Sequence, residues 1–321
     1  MTSLSESIER PGVYKRWPSL SGHLKRLVQG RRDTGARVDA VLRRYAELGQ
    51  IEEPWEGLPD WCAVKSDLSV RGVMLLEAEQ VRAVSAGRLG SGLGAAFAYQ
   101  YVKALIELFQ EESFPHRFPG RTLRKLGLDD AMWVALGFTL GCQGRTQRLG
   151  MLLIEALRRD YFFDREYYPI FYFVLRLFAD WQQIGYESWP SAATREKVLN
   201  KLLERWREPK AASIATLVLA ACDYHTHRCR TGMTKDYFEF DDGLFTHFPV
   251  EILMLFRLRE HEGLPNPDVN HPLLSTPLGK LPKPMRCEPD EILQKVLDRA
   301  KSQGFDEEAI VWSLLGDPRV A

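Results

Sequence analysis

Apolar and polar positions recur at helical spacing along most of the chain, and aromatic residues are most concentrated between Tyr161 and Trp189. The sequence of this segment is YFFDREYYPIFYFVLRLFADWQQIGYESW, and charged residues are spread among the aromatic ones: Asp164, Arg165, Glu166, Arg176 and Asp180. Such a segment is typical of a helix in a large helical core, with neighbours on most sides. We therefore predict a central helix that acts as scaffold and not as a ligand pocket.

The same spacing predicts helices along much of the remaining chain. Five apolar residues fall on one face of a helix that ends near residue 49: Val38, Val41, Leu42, Tyr45 and Leu48. Further helices are predicted at 68–86, 95–109, 128–140, 148–159, 194–207, 211–228, 244–262, 290–302 and 306–315. No segment alternates with β-branched enrichment, so no sheet is expected. The predicted fold class is all-α, an irregular multi-helix bundle of packed helical hairpins.

Segments rich in glycine, proline or tryptophan separate these helices. Loops are expected at 51–67, 87–94 and 116–122, and a proline-rich coil at 264–289. The helices do not repeat at a fixed period, so a regular solenoid is not predicted. We divide the chain into an N-terminal helical region, 1–125, and a C-terminal helical domain, 126–321. The sequence leaves open that the two form one continuous domain.

Composition narrows the class of protein. Hydrophobic residues make up 45% and charged residues 27%, and 43 basic residues balance 43 acidic ones. No global field therefore draws the chain to nucleic acid or to a membrane. The longest apolar run, Ala211–Cys222, is too short to span a bilayer. The first fifty residues carry a basic set that we expect on a solvated face, with nucleic-acid binding as the alternative: Lys25, Arg26, Arg31, Arg32, Arg37, Arg43 and Arg44.

The cysteines and the N-terminal residues bear on location. The chain has five cysteines without regular spacing: Cys62, Cys142, Cys222, Cys229 and Cys287. An odd, dispersed set is not a disulfide framework, which favours a reducing compartment. The first residues, MTSLSESIERPGVYKRW, lack the apolar run of a signal peptide. A cytoplasmic location is expected.

The glycine-rich segment 87–94, GRLGSGLG, has spacing that resembles a phosphate-binding loop. A phosphate cradle requires a preceding strand and a helix that begins at the loop, and a Lys-Ser/Thr pair usually follows. Neither the strand nor that pair is present. We predict a connection between two helices.

The segment CDYHTHRC, residues 222–229, carries the best candidate metal ligands. On a helix, Cys222, His225 and Cys229 fall on one face, and zinc takes thiolate and imidazole ligands. A further ligand from elsewhere would be needed. The alternative is that the cysteines belong to the core and the histidines lie at the end of a buried helix. We predict no metal site and no cofactor, and keep a helical zinc enzyme as the alternative function.

Other catalytic patterns are absent from the sequence. His261-Glu262 lies at a helix end without a second histidine in register, and no nucleophile elbow is present. Asp129 and Asp130 fit the first turn of a helix, where carboxylates interact favourably with the helix dipole. We therefore assign no catalytic residue and predict that the chain is not an enzyme.

The segment KDYFEFDDGLF, residues 235–245, mixes acidic and large aromatic side chains. Aromatic residues supply contact area in protein interfaces, and carboxylates steer and pair with basic partners. A magnesium-dependent nuclease site would need strands and a lysine that are missing. The alternative, compatible with the first, is that Asp241 and Asp242 cap the next helix while the aromatic residues pack inward. We predict a partner-binding loop formed by Asp236, Tyr237, Phe238, Glu239, Asp241 and Asp242.

The order of segments between Ala131 and Pro282 resembles that of a known family. A helix pair, MWVALGFTLGCQG and LLIEAL, precedes the aromatic segment, and REKVLNKLLERW and FPVEILMLFRLREHEGLP follow it. This order is similar to helical immunity proteins of bacterial polymorphic toxin systems, especially those that guard against PoNe-type nuclease effectors of type VI secretion. The family's Tyr-Pro-Asp/Glu-like segment has its nearest match at Phe248–Glu251, where the sequence is Phe-Pro-Val-Glu.

The resemblance implies a protein of bacterial competition that binds a cognate secreted toxin, a nuclease, and occludes its active site. It implies no catalysis, no cofactor and an acidic surface that faces the basic groove of the nuclease. The predicted partner is thus the toxin, with no nucleic acid and no membrane, and a homodimer is left open. The alternative functions are the helical zinc enzyme and a nucleic-acid-binding helical protein that uses the basic N-terminal segment.

Overall fold

The computed structural model describes residues 10–29, 32–50, 57–121, 123–163, 166–230, 237–241 and 243–316. Within these residues the only β contact is an isolated bridge between Leu126 and Phe162, and the predicted all-α fold class is confirmed. The α-helices that the described residues form are α1 (Leu20–Gln29), α2 (Arg32–Leu48), α3 (Lys65–Ala86), α4 (Gly92–Arg117), α5 (Asp130–Leu140), α6 (Gln143–Arg158), α7 (Pro169–Trp181), α8 (Ser191–Thr194), α9 (Lys197–Arg205), α10 (Ala212–His227), α11 (Val250–His261), α12 (Pro272–Ser275), α13 (Glu291–Ser302) and α14 (Glu307–Leu315).

The aromatic segment forms α7, which is central but shorter than predicted. Helix α7 begins at Pro169, because a proline at the first helical position has a suitable φ and needs no N–H partner. It ends at Trp181, and Gln183 then has a φ of 56°, which a continuing helix does not allow. Nearly all of α7 is buried, against α5, α6, α8, α9 and α11. The predicted central position is confirmed, and the predicted ends at 161 and 189 are wrong; residues 164 and 165 lie outside the described chain.

Helices α5 and α6 form the predicted pair and support α7. Gly141 closes α5 with a φ of 78°, and its N–H donates to the Phe138 carbonyl oxygen at 2.9 Å. Every residue of α5 is buried. A Cβ at Gly150 would lie 2.6 Å from the Phe178 ring, so this glycine allows α6 to approach α7 closely.

Helices α3 and α4 are joined at residues 87–91, as the glycine-rich segment predicts. A Cβ at Gly90 or at Gly92 would collide with the carboxylate of Glu79. Glu79 is buried and forms an ion pair with Arg82 at 2.5 Å. The glycines are therefore explained by a buried carboxylate of the same chain, and no phosphate is needed to account for them.

Helix α2 presents the predicted apolar face. Val38, Leu42 and Tyr45 are buried, whereas Leu48 is exposed. The basic side chains of this region that the structure describes are exposed, as a solvated face requires: Lys25, Arg26, Arg37, Arg43 and Arg44. Arg31 and the side chain of Arg32, for which the same solvated face was predicted, lie outside what the structure describes.

One hydrophobic cluster runs from Val38 in α2 to Leu314 in α14. Helix α13 packs against α2, and α14 packs against α4 and α6. Residues 1–125 and 126–321 thus both contribute to the same core. Among the helices described, none has the length and apolar character needed to cross a membrane.

The proline-rich coil is anchored on α4 and α5. The Met285 N–H donates to the Leu140 carbonyl oxygen at 2.9 Å, and Arg257 donates to the Pro282 carbonyl oxygen. A Cβ at Gly94 would collide with the Arg286 carbonyl oxygen. The coil is therefore part of the packed structure, and it contains only α12 and a 3-10 turn, Pro277–Gly279.

A disulfide joins Cys142, before α6, to Cys287 in the coil, with the two Cα atoms 5.8 Å apart and a sequence separation of 145. Cys62, Cys222 and Cys229 are free and buried. The dispersed spacing of the cysteines predicted no disulfide framework, and the structure corrects that expectation for this one pair. Sequence spacing gave no warning because the two residues meet only after α5 and the coil pack together.

Residues 10–19 form a segment, here called the N-terminal strap, that crosses the end of α10. The Arg10 guanidinium donates to Asp223 at 2.9 Å, and the Tyr14 N–H donates to the Thr226 hydroxyl at 2.9 Å. The Trp17 indole N–H donates to the Thr246 carbonyl oxygen at 3.1 Å. These bonds span more than 200 residues of sequence and hold the strap against α10 and the segment before α11.

Candidate functional site

Residues 237–241 of the predicted partner-binding loop lie beside the start of α7 and the end of α10. Tyr237 is 53% exposed and Asp241 is exposed, whereas Phe238 and Glu239 are buried. Asp236 and Asp242, which belong to the same prediction, lie outside the described residues. Of the described predicted residues, only Tyr237 and Asp241 face solvent.

Glu239 makes its contacts inside the protein. Its carboxylate accepts a hydrogen bond from the Ile170 N–H at 3.0 Å, at the N-terminus of α7, and forms an ion pair with Arg228. Burial raises the pKa of Glu239, and the Arg228 guanidinium offsets part of the rise. The carboxylate thus caps α7 and holds the loop in place. The sequence had suggested that this carboxylate pairs with a partner protein, but in the structure it is already paired within the chain.

The aromatic residues after Tyr237 pack inward, as the alternative prediction for this segment stated. The other half of that prediction is wrong for Asp241, which does not cap the next helix because α11 begins only at Val250. The Phe238 ring lies between two guanidinium groups, 4.9 Å from Arg228 and 5.2 Å from Arg230. The Phe240 ring stacks on His225, with 4.3 Å between the ring centroids. Cation–π contacts of this kind stabilise the loop against α10.

The rings of Tyr237 and Tyr167 are in contact, with 4.2 Å between their centroids and 36° between their planes. Tyr167 is 43% exposed, so both rings keep much of their surface in solvent. Tyr167 precedes α7, because the helix begins only at Pro169. An exposed pair of contacting tyrosines on a firmly held loop is a surface with the properties of an interface anchor.

A groove of about 530 Å³ opens next to this pair, here called the tyrosine groove. It lies between the strap, the segment after α8, the end of α10 and the loop. Its lining residues are Pro11, Tyr167, Arg195, Tyr224, His227, Arg228, Arg230, Tyr237 and Phe238. Three of them are arginines, and none of these described lining residues is acidic.

The sequence interpretation missed the groove. Its arginines come from two distant segments, and Arg228 had been considered only as a neighbour of candidate zinc ligands. One signal was available. Proline favours the first turn of a helix, so Pro169 could have placed Tyr167 in a loop and not inside the helix.

The candidate zinc ligands do not form a coordination site. His225 Nδ1 lies 2.7 Å from Glu251 Oε1 in a fully buried pair, and the Cys229 thiol donates to the His225 carbonyl oxygen at 3.3 Å. Burial raises the pKa of the Cys222 thiol well above its usual range. In the part of the chain that is described, no three His, Cys, Asp or Glu side chains are arranged to hold a metal ion.

A second buried polar cluster lies under the strap. Asp223 accepts a hydrogen bond from Arg10 and lies 3.1 Å from His271 Nε2. His247 stacks on Trp17, with 4.2 Å between ring centroids, and burial lowers its pKa to about 3. These residues connect the strap, α10 and the coil, and each has a polar partner within the protein, while His247 Nδ1 is buried without one among the described residues.

Comparison with protein-family models, with curated proteins and with solved structures gave no match for this chain. Function must therefore be inferred from its own residues.

Proposed function

We propose that the chain is an immunity protein that binds a cognate secreted antibacterial toxin, a nuclease effector, and neutralises it by occluding its active site. The observation that carries the proposal is the exposed Tyr167–Tyr237 pair. Large aromatic side chains dominate the energy of protein interfaces, especially where the surrounding rim is charged. The order of helical segments in the sequence is the second support.

The loop is held in its exposed conformation before any partner binds. Glu239 connects it to α7 through the Ile170 N–H and to α10 through Arg228. Association costs less when side chains and loops are already ordered. Anchoring at Glu239 beside the tyrosine pair therefore suits a tight inhibitor.

The acidic part of the proposal now rests on fewer residues. Asp241 is exposed and available for a basic partner, whereas Glu239 is used internally. Arg195 and Arg230 lie in the adjoining groove. The proposed interface is therefore mixed in charge and not uniformly acidic.

A cytoplasmic location forms part of the proposal, because a nuclease effector reaches its DNA there. The Cys142–Cys287 disulfide is the feature that stands against it, since structural disulfides are uncommon in reducing compartments. Fractionation of cells that express the chain with its native 5′ region tests the location directly.

The function is tested by purifying the chain together with the product of the adjacent gene, and by asking whether it protects cells that express that product. Tyr167→Ala and Tyr237→Ala are each expected to weaken the complex by about 2 kcal/mol, roughly 30-fold. The matched control is Phe118→Ala, which removes an exposed aromatic ring that contacts the half-buried Phe114 elsewhere on the surface. Absence of both co-elution and protection would sink the proposal.

A further inference from the structure

The tyrosine groove has a charge opposite to that expected of a surface for a basic partner. Its described lining carries the guanidinium groups of Arg195, Arg228 and Arg230, and no carboxylate. Its volume of about 530 Å³ falls in the range of sites that accept small molecules or short peptide segments. The groove therefore favours an occupant with negative charge.

Two of the three arginines are not neutralised by the residues that the structure describes. Arg228 pairs with Glu239 and also donates to the Tyr237 carbonyl oxygen at 2.6 Å. Arg195 is exposed and donates only to the Glu166 carbonyl oxygen, at 3.1 Å, among the described groups. A carboxylate supplied by a partner would complete its pairing.

Arg230 is the stronger case, because its environment is partly closed. Its guanidinium lies 4.9 Å from the Tyr14 ring and 5.2 Å from the Phe238 ring. Its Nε atom is buried and has no hydrogen-bond acceptor among the described residues. The guanidinium also has no carboxylate partner among the described residues, and a carboxylate in the groove would supply one.

The apolar surface beside these charges comes from tyrosines. Tyr237 and Tyr167 form one wall, and Tyr224 lines the groove together with the strap residue Pro11. An occupant thus meets guanidinium groups next to ring surfaces. A peptide in which acidic residues adjoin apolar ones matches both.

We propose that the tyrosine groove binds an acidic peptide segment of the protein partner, with carboxylates on Arg195 and Arg230 and an apolar side chain against Tyr237. This inference rests on the proposed function and adds the chemistry of the partner surface. The toxin would then be bound through an acidic segment outside its basic catalytic groove, while the exposed edge at Asp241 faces basic residues.

Nucleic acid fits the groove less well than a peptide. The Phe238 ring is already covered by Arg228 and Arg230, and the contact between Tyr167 and Tyr237 covers part of each of these otherwise exposed rings. Nucleic-acid bases need free aromatic faces on which to stack. The chain also has no net charge to attract a polyanion from a distance.

The test uses a random heptapeptide phage library panned on the full chain, followed by fluorescence anisotropy with the selected peptides. We expect peptides rich in Asp and Glu next to apolar residues, with salt-sensitive binding. The double variant Arg195→Gln/Arg230→Gln should bind them at least about tenfold more weakly. The matched control is Arg205→Gln, at the opposite end of α9, whose side chain is 45% exposed.

Selection of no peptides, of neutral or basic peptides, or of peptides that bind the double variant equally well would overturn the inference. The inference would also be overturned if a 20-nucleotide oligo-dT binds the chain, loses affinity in the double variant as expected for the peptides, and no peptide binds. If the double variant does not fold by circular dichroism, Arg195→Gln alone, at an exposed position, takes its place with the same expected loss.

The two proposals fail in different ways. If the toxin co-elutes with wild-type protein and equally with the arginine variant, the immunity function stands and the acidic-segment inference is wrong. If the adjacent gene product neither binds nor is neutralised, the immunity function is wrong, and the peptide selection still reports on the chemistry of the groove.

Discussion

His225 and Glu251 form an ion pair that is closed off from solvent, with side chains 0% and 2% exposed. Burial disfavours the charged imidazole, but the Glu251 carboxylate, together with Cys229, outweighs it and raises the pKa of His225 to about 10. The pair joins α10 to α11 beneath the tyrosine groove. Replacing one member would leave the other buried without its counter-charge.

Glu251→Gln is therefore expected to lower the free energy of unfolding by about 3–5 kcal/mol at pH 7. The control is Glu291→Gln, whose carboxylate is 76% exposed and pairs with Lys295 on the surface of α13. Its expected effect on stability is much smaller, because solvent screens an exposed ion pair. Urea denaturation followed by circular dichroism measures both, and equal losses would contradict the assigned role of the buried pair.

The same pair predicts how stability depends on pH. The folded-state pKa of His225, about 10, lies above its ordinary value of 6.5, so folding favours the protonated imidazole. Its contribution is complete below pH 6.5 and is lost as the pH rises towards 10. Unfolding free energies measured from pH 6 to 10 should fall in wild-type protein, and the fall should be smaller in Glu251→Gln. Parallel curves for the two proteins would refute this.

At the scale of elements, close approach between segments depends on a few glycines. Gly94 lies in α4 against the backbone of the proline-rich coil, and Gly150 lies in α6 against Phe178. These contacts position the coil and α7. Helix α7 in turn binds the loop of Tyr237 through the Ile170 N–H and Glu239. Not every glycine in a helix has such a neighbour, since a Cβ at Gly144 in α6 would meet nothing within 4 Å.

Gly94→Ala should thus destabilise the protein by about 1–3 kcal/mol, since the added methyl group collides with the Arg286 carbonyl oxygen. Gly144→Ala is the matched control and should be neutral or stabilising by up to about 1 kcal/mol, because alanine favours the helix. Thermal and urea unfolding of the two variants give opposite signs if the coil is docked as described. A stable Gly94→Ala protein would argue against that contact.

At the scale of the whole molecule, three contacts join segments that are far apart in the sequence. The strap binds the end of α10, α13 packs against α2, and the disulfide joins the coil to the α5–α6 turn. Residues distant in sequence therefore stabilise the surface that carries the tyrosine pair.

The disulfide can be tested by counting free thiols. Denatured, unreduced protein should expose three thiols, from Cys62, Cys222 and Cys229, and five after reduction. Because the sequence separation of the linked cysteines is 145, the chain-entropy model places the stability lost on reduction at up to about 5 kcal/mol. Cys142→Ser should reproduce the loss. Five thiols without reduction would show that the pair is not bonded, and would remove the objection to a reducing compartment.

Most of the helices were determined by the sequence alone, because apolar spacing and stop signals act within a few residues. The apolar face of α2, the α5–α6 pair and the helical connection at 87–94 all follow from such local patterns. The all-α fold class follows from them as well.

Only the tertiary structure decided where the chemistry lies. Glu239 became an internal cap of α7, Tyr167 and Tyr237 became the exposed pair, and Cys142 met Cys287. Each of these outcomes depends on partners from 69 to 145 residues away. Such contacts leave no periodic mark in the sequence, since they form only when packing brings separate helices together.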